Sequence, residues 1–230
     1  MQAKRITLFV GHYGSGKTNL AVNYAAHLSG QGKRVVLADM DIVNPYFRSK
    51  DSEEELRALG VETLSSPYAN TNLDAPAMPA SFYGIFEHRD RYAVLDVGGD
   101  DRGAVALGRY VPMIKEENDF EMIFVANAHR ALTPTPEDAL EVMREIEFAC
   151  KLPVTAIANN SHLGEFTDAK TVLDSEAYVQ RLCELSGLPL VMTAFEENLA
   201  PDLAYRVPHP FPITLQKKYY GFTYGGPHYG

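Results

Sequence analysis

The octapeptide Gly11-His12-Tyr13-Gly14-Ser15-Gly16-Lys17-Thr18 decides how the rest of the chain is read. It matches G-x-x-x-x-G-K-[ST], a loop that wraps phosphate between a strand and a helix. Gly11, Gly14 and Gly16 accept backbone angles that a Cβ resists. Successive N–H groups, those of His12, Tyr13 and Ser15 included, then turn inward as an anion nest. The helix that follows aims its positive end at the same point. Lys17 is placed to reach the β- and γ-phosphates of a nucleoside triphosphate, the Thr18 hydroxyl to ligate Mg²⁺, and Asn19 continues the first turn.

The flanks agree with this reading. Ile6–Val10 is a short apolar run of the kind a buried strand requires. Residues 19–28 put Leu20, Tyr24, Ala25 and Leu28 at helical spacing, and Gly30 and Gly32 end the helix. Further strands are expected at 35–38, 61–64, Tyr92–Val97, 122–126, 154–158 and 188–194, with helices at 52–59, 137–150 and 175–185 between them. Strands that alternate with helices predict an α/β fold, a parallel sheet covered on both faces with right-handed crossovers. We expect one domain over residues 1–215 and a Tyr- and Gly-rich tail over 216–230. Residues 65–83, with Pro67, Pro76 and Pro79, form the longest irregular stretch, a length usually reserved for function.

Two acidic segments fit a phosphate machine. Asp39-Met40-Asp41 follows the second strand, and Asp96-Val97-Gly98-Gly99 closes the fourth. Ligands of open α/β sheets bind at carboxyl ends of strands. Asp96 is therefore the expected carboxylate that holds Mg²⁺ through water, and Gly99 the expected backbone N–H beside the γ-phosphate.

Composition narrows the class. The 230 residues are 46% hydrophobic and 22% charged, enough for a full globular core. The net charge of −9 disfavours nucleic-acid binding through bulk positive charge. Cys150 and Cys183 are too far apart in sequence for a C-x-x-C motif and predict free thiols, as in a reducing cytoplasm. The chain opens with no signal peptide, carries no apolar run long enough for a bilayer, and has no amphipathic anchor in its tail.

The phosphate loop, the two acidic segments and Ala158-Asn159-Asn160 together resemble the MinD/ParA/CobQ group of SIMIBI-class P-loop NTPases. That class also holds the nitrogenase iron protein and dethiobiotin synthetase. The resemblance implies a three-layer P-loop NTPase fold around a mostly parallel central sheet of seven or eight strands, with the Asp96 strand beside the P-loop strand. It implies that Asp41 ligates Mg²⁺ or activates the attacking water, with Asp39 in reserve for either role, and that Asn159 or Asn160 contacts the base. More narrowly, the loop and the Ala158–Gly164 stretch look like a group of uncharacterised bacterial ATP-binding proteins. There are departures. MinD and ParA carry a lysine where this chain has His12, and that lysine reaches across an ATP-sandwich dimer. The iron–sulfur cysteines, the amidotransferase domain and the MinD membrane helix are all missing. The base site has no carboxylate at Asn159-Asn160-Ser161-His162 of the kind that accepts from guanine N1 and N2, which favours ATP over GTP.

The resemblance leaves the pathway open. The reading it supports most directly is a Mg²⁺-dependent switch ATPase that acts with a protein partner. The alternative is an ATP-dependent synthetase or kinase similar to dethiobiotin synthetase, with residues 65–83 and His129-Arg130 shaping the acceptor pocket. A third is a nucleotide sensor with negligible turnover. A homodimer stays open. The acidic runs at 51–55 and 115–119 are expected to be solvated faces.

Overall fold

A computed structural model describes residues 3–41, 50–65, 80–99 and 101–215 of the chain. The 216–230 tail and residues 66–79 of the long irregular stretch lie outside the described residues.

The first half alternates as expected: β1 (Ile6–Val10), α1 (Lys17–Gly30), β2 (Val35–Met40), α2 (Lys50–Ala58) and β3 (Val61–Ser65). A 3-10 turn at Ala80–Tyr83 leads into α3 (Gly84–Glu87), followed by β4 (Tyr92–Val97). The chain continues with α4 (Asp101–Gly108), α5 (Val111–Glu117), β5 (Phe120–Ala126), α6 (Pro136–Cys150) and β6 (Ala156–Asn159). It ends with α7 (Ala169–Asp174), α8 (Glu176–Ser186), β7 (Leu190–Glu196), α9 (Ala200–Leu203) and β8 (Pro210–Ile213).

The strands form one eight-stranded sheet in the order β3-β2-β4-β1-β5-β6-β7-β8. Every pairing is parallel, so all strands point their carboxyl ends to one edge. The Asp96 strand lies beside the P-loop strand, as the family resemblance implied.

Burial on both faces follows from strand period two. In β1, Ile6, Leu8 and Val10 join a core on one side with residues of α4, α5, α6 and α8, while Phe9 joins the other with Leu20, Ala25 and Leu28 of α1. These two cores make the three layers. Continuous apolar strands are the signature of a sheet covered twice.

β8 escaped the sequence reading because Pro210 and Pro212 interrupt its pattern. It sits at the sheet edge, pairing only with β7, where the Thr193 N–H donates to the His209 carbonyl at 2.8 Å. Proline is tolerated there because the missing N–H faces outward. A second departure is Glu117, expected on a solvated face. Its side chain is 8% exposed and pairs with Arg5 at 2.5 Å. Arg5 also donates to the carbonyls of Ile85 (3.0 Å) and Arg91 (3.2 Å), so the buried guanidinium is satisfied at Nε and Nη1.

Candidate functional site

The phosphate loop leaves β1 near the centre of the sheet, between the ends of β4 and β5. β1 sends the chain to one side and β5 to the other, which opens a crevice between them. Gly11, Gly14 and Gly16 have φ of 144°, 77° and 88°. A Cβ at Gly11 would lie 2.7 Å from the Val125 carbonyl oxygen, and one at Gly16 2.2 Å from Asn160 Nδ2. Both glycines are therefore fixed by approach as well as by angle. α1 starts at Lys17 with no side-chain cap, so its first N–H groups stay directed at the loop.

On the β4 flank the expected residues meet. The Thr18 hydroxyl donates to Asp96 Oδ2 at 2.6 Å. Lys17 is 7% exposed, and its Nζ donates to the His12 carbonyl at 3.1 Å. Asp39 and Asp96 are register partners on β2 and β4, each 2% exposed. Asp39 Oδ1 accepts the Asp41 N–H at 2.9 Å, which fixes Asp41 to the rim. Gly99 passes so close that a Cβ would sit 2.7 Å from Tyr13 N and 2.8 Å from Lys17 Nζ. Burial raises the Asp96 carboxyl to about 6; Lys17 and the Thr18 hydroxyl oppose this, and the negative charge of Asp41 adds to it.

On the β5 and β6 flank the two asparagines separate. Asn160 Nδ2 donates to the Ser15 carbonyl at 2.7 Å, so Asn160 touches the loop. Asn159 is 1% exposed and engaged inside the fold. Its Nδ2 donates to Ser175 Oγ at 2.9 Å, and its Oδ1 accepts from the N–H (3.1 Å) and hydroxyl (2.8 Å) of Ser161. Neighbouring residues at a strand end face opposite ways, which the sequence alone does not resolve.

Beside Asn160 a small open cleft runs between α1 and the ends of β6, β7 and β8. Asn19, Asn160, His162, Thr167, Phe195 and Glu196 are among its lining residues. Glu196 was missed in the sequence; its only signal was an acidic residue closing a strand. His129 lies outside these contacts, while Arg130 packs against Gly14. The His12 ring stays on its own loop, its Nδ1 2.9 Å from the Tyr13 carbonyl oxygen.

Cys150 and Cys183 are free, as expected. Among the described residues no cluster of three or more His, Cys, Asp or Glu side chains could hold a metal ion, and no helix is long and apolar enough to cross a membrane.

Solved structures share the fold. FtsY from Mycoplasma mycoides matches with a TM-score of 0.53 at 15% identity, over 85% of this chain and 61% of that one. Cell division protein FtsY from Thermotoga maritima matches with a TM-score of 0.55 at 19% identity, over 84% and 62%. The signal recognition particle receptor FtsY from Elizabethkingia anophelis, solved with GDP, gives 0.50 at 17%, over 84% and 58%. The chain thus spans about three fifths of the length of these structures. No curated protein matches it in sequence. Residues 6–184, well over half of the chain, match the family described as the CobQ/CobB/MinD/ParA nucleotide-binding domain, and the chain belongs to that family.

Proposed function

We propose that this protein is a Mg²⁺-dependent ATP-binding switch that hydrolyses ATP and passes its nucleotide state to a protein partner. The observation that carries the reading is the bond from the Thr18 hydroxyl to Asp96, one residue from Lys17 in the phosphate loop. It joins the two oxygens that would hold Mg²⁺, a hard cation that takes few protein ligands when phosphates and water complete its octahedron. When bound, the ion would neutralise charge on the β- and γ-phosphates.

The chain's own groups do the rest. The loop N–H groups and Lys17 hold the phosphates. Ser15 is 2% exposed with a buried hydroxyl that has no hydrogen-bond partner, and a phosphate oxygen would satisfy it. Asp41, held by Asp39, orients the attacking water. Gly99 presents backbone to the γ-phosphate beside Lys17. Asn160 and the adjoining cleft receive the adenine, where an amide both donates and accepts. Tyr13, Leu132 and Phe166 are 64%, 66% and 78% exposed in segments that follow β1, β5 and β6 at the carboxyl edge of the sheet, a surface suited to a protein that reads the nucleotide.

Calorimetry with Mg²⁺–ATP tests the site. Lys17→Ala should abolish tight binding, and Thr18→Ala should weaken only the Mg²⁺-dependent part. Unchanged affinity in Lys17→Ala would remove the assignment. Slow basal turnover raised by a protein fraction supports the switch; turnover only with a small metabolite would make the chain a synthetase or kinase.

A further inference from the structure

Lys17 and the Mg²⁺ ligands occupy the β4 flank of the loop. The opposite flank, under β5, carries a cation of its own. Residues 127–135 link β5 to α6 and are pinned at several points. Asn127 Oδ1 accepts the His129 N–H at 3.0 Å, and Arg130 N–H donates to the Asn127 carbonyl at 3.3 Å. The Ala128 N–H donates to Ser161 Oγ at 3.1 Å, and Tyr178 OH donates to the Thr133 carbonyl at 2.8 Å. Thr135 then caps α6 through a reciprocal pair with Asp138. The segment is a rigid mount.

It delivers the Arg130 guanidinium onto the phosphate loop. Cζ, Nε and Nη1 lie 3.5, 3.6 and 3.6 Å from where a Cβ of Gly14 would stand. A side chain at position 14 would meet this group. Among the described residues Arg130 joins no ion pair. Its Nε is buried with no hydrogen-bond partner. Among the described residues the guanidinium's one polar contact is Nη2 to His162 Nε2 at 3.4 Å. That ring also takes the Gly164 N–H on Nδ1 at 3.2 Å. An anion beside Gly14 answers the stranded Nε. A guanidinium fork matches a pair of phosphate oxygens, and the phosphate loop beside it supplies that anion.

We infer that Arg130 is a further phosphate ligand, supplied in cis by the β5 loop and acting on the inner phosphates of the nucleotide. The inference rests on the nucleotide reading above. The choice of inner phosphates follows from position. His162, which Arg130 touches, lines the cleft proposed for the base. Arg130 therefore stands where that cleft meets the loop, and Lys17 stands at the far flank with Thr18 and Asp96.

The test is calorimetric titration of wild type, Arg130→Ala, Arg130→Lys and Lys17→Ala with ATP and with ADP in the presence of Mg²⁺, at two salt concentrations. Charge-assisted hydrogen bonds of this kind set the scale at about tenfold to a hundredfold in affinity. Arg130→Ala should weaken ATP and ADP by the same factor and show a shallower salt dependence. Arg130→Lys should recover part of the loss, since it keeps the charge and loses the fork. The melting temperature of ligand-free Arg130→Ala should equal or exceed that of wild type; a merely structural arginine would lower it. Wild-type affinity with an unchanged Arg130→Ala variant overturns the inference and leaves the nucleotide site standing. A loss confined to ATP also overturns it, by moving the cation to the γ-phosphate. Failure of wild type itself to bind, or full affinity in Lys17→Ala, marks failure of the nucleotide reading instead.

Discussion

Asp96→Asn should stabilise the ligand-free protein while destroying its Mg²⁺ response. The Asp96 carboxyl rises from 3.8 to about 6, chiefly because burial disfavours its charge. Between those values the folded state keeps a proton that the unfolded state has released. Folded stability from this group is thus fully present below the unfolded pKa and is lost as pH rises through about 6. Two units correspond to about 3 kcal/mol at neutral pH. Asparagine removes that penalty, and its Oδ1 still accepts from the Thr18 hydroxyl. For a chain of this size, about 3 kcal/mol is roughly 6–12 °C in melting temperature. The assay is thermal and urea unfolding in chelator, without nucleotide, at pH 4.5 and 7.5. The variant should exceed wild type by about 1 kcal/mol at the lower pH and by about 3 kcal/mol at the higher one. Mg²⁺ with ATP should then stabilise wild type and leave the variant nearly unmoved, because the metal loses its carboxylate. An Asn variant less stable at pH 7.5, or a difference independent of pH, would refute the claim that desolvation of Asp96 opposes folding at neutral pH.

Asp41→Asn should lower turnover while leaving ATP affinity nearly intact, since an oriented water matters in the transition state; parallel loss in steady-state kinetics and titration would make Asp41 a metal or structural group. ATP should bind more tightly than GTP in a competition titration, and Asn160→Ala should weaken ATP more than inorganic tripolyphosphate. A tenfold preference for GTP, about 1.4 kcal/mol, that disappears in Glu196→Gln would show Glu196 accepting from guanine N1 and N2 instead. ATP should not drive a sandwich dimer, because the His12 ring lies on its own loop rather than reaching outward; mass doubling in light scattering with Mg²⁺ and a non-hydrolysable analogue, retained in His12→Ala, would contradict this.

Much of the molecule was legible where local rules suffice. β1 and β4 begin and end at the residues their apolar runs predicted, because a strand buried on both faces is apolar along nearly its whole length, with Thr7 and Asp96 the polar exceptions. Thr18 and Asp96 were legible as neighbours at one site because the phosphate loop places the first and the strand end the second; the hydrogen bond between them was not. Contacts between distant segments were not. Glu117 lies in a charged run and reads as solvated; only its partner Arg5, at the other end of the chain segment, explains its burial. Arg130 reads as a rim residue, but its approach to Gly14 needs the β1–β5 neighbour relation that no local pattern encodes. Asn159 and Asn160 are the same amino acid one step apart, and only the pleat decides which reaches the loop.

That strand order also divides the proposed work. β1 has β4 on one side and β5 on the other, so the loop it carries is met from two directions. From β2 and β4 come Asp39, Asp41, Asp96 and Gly99, the groups proposed to meet Mg²⁺ and the γ-phosphate. From β5, β6 and β7 come Arg130, Asn160, His162 and Glu196, the groups proposed to meet the inner phosphates and the base. Loss of the γ-phosphate on hydrolysis would change contacts on the first flank and leave those on the second in place. A switch built this way would keep its nucleotide anchored while its state changes, and the energetic difference between ATP and ADP would reside in Lys17 and in the residues at the ends of β2 and β4. Substitutions on the β5–β7 flank should therefore shift both affinities together, and substitutions on the β2–β4 flank should shift their ratio.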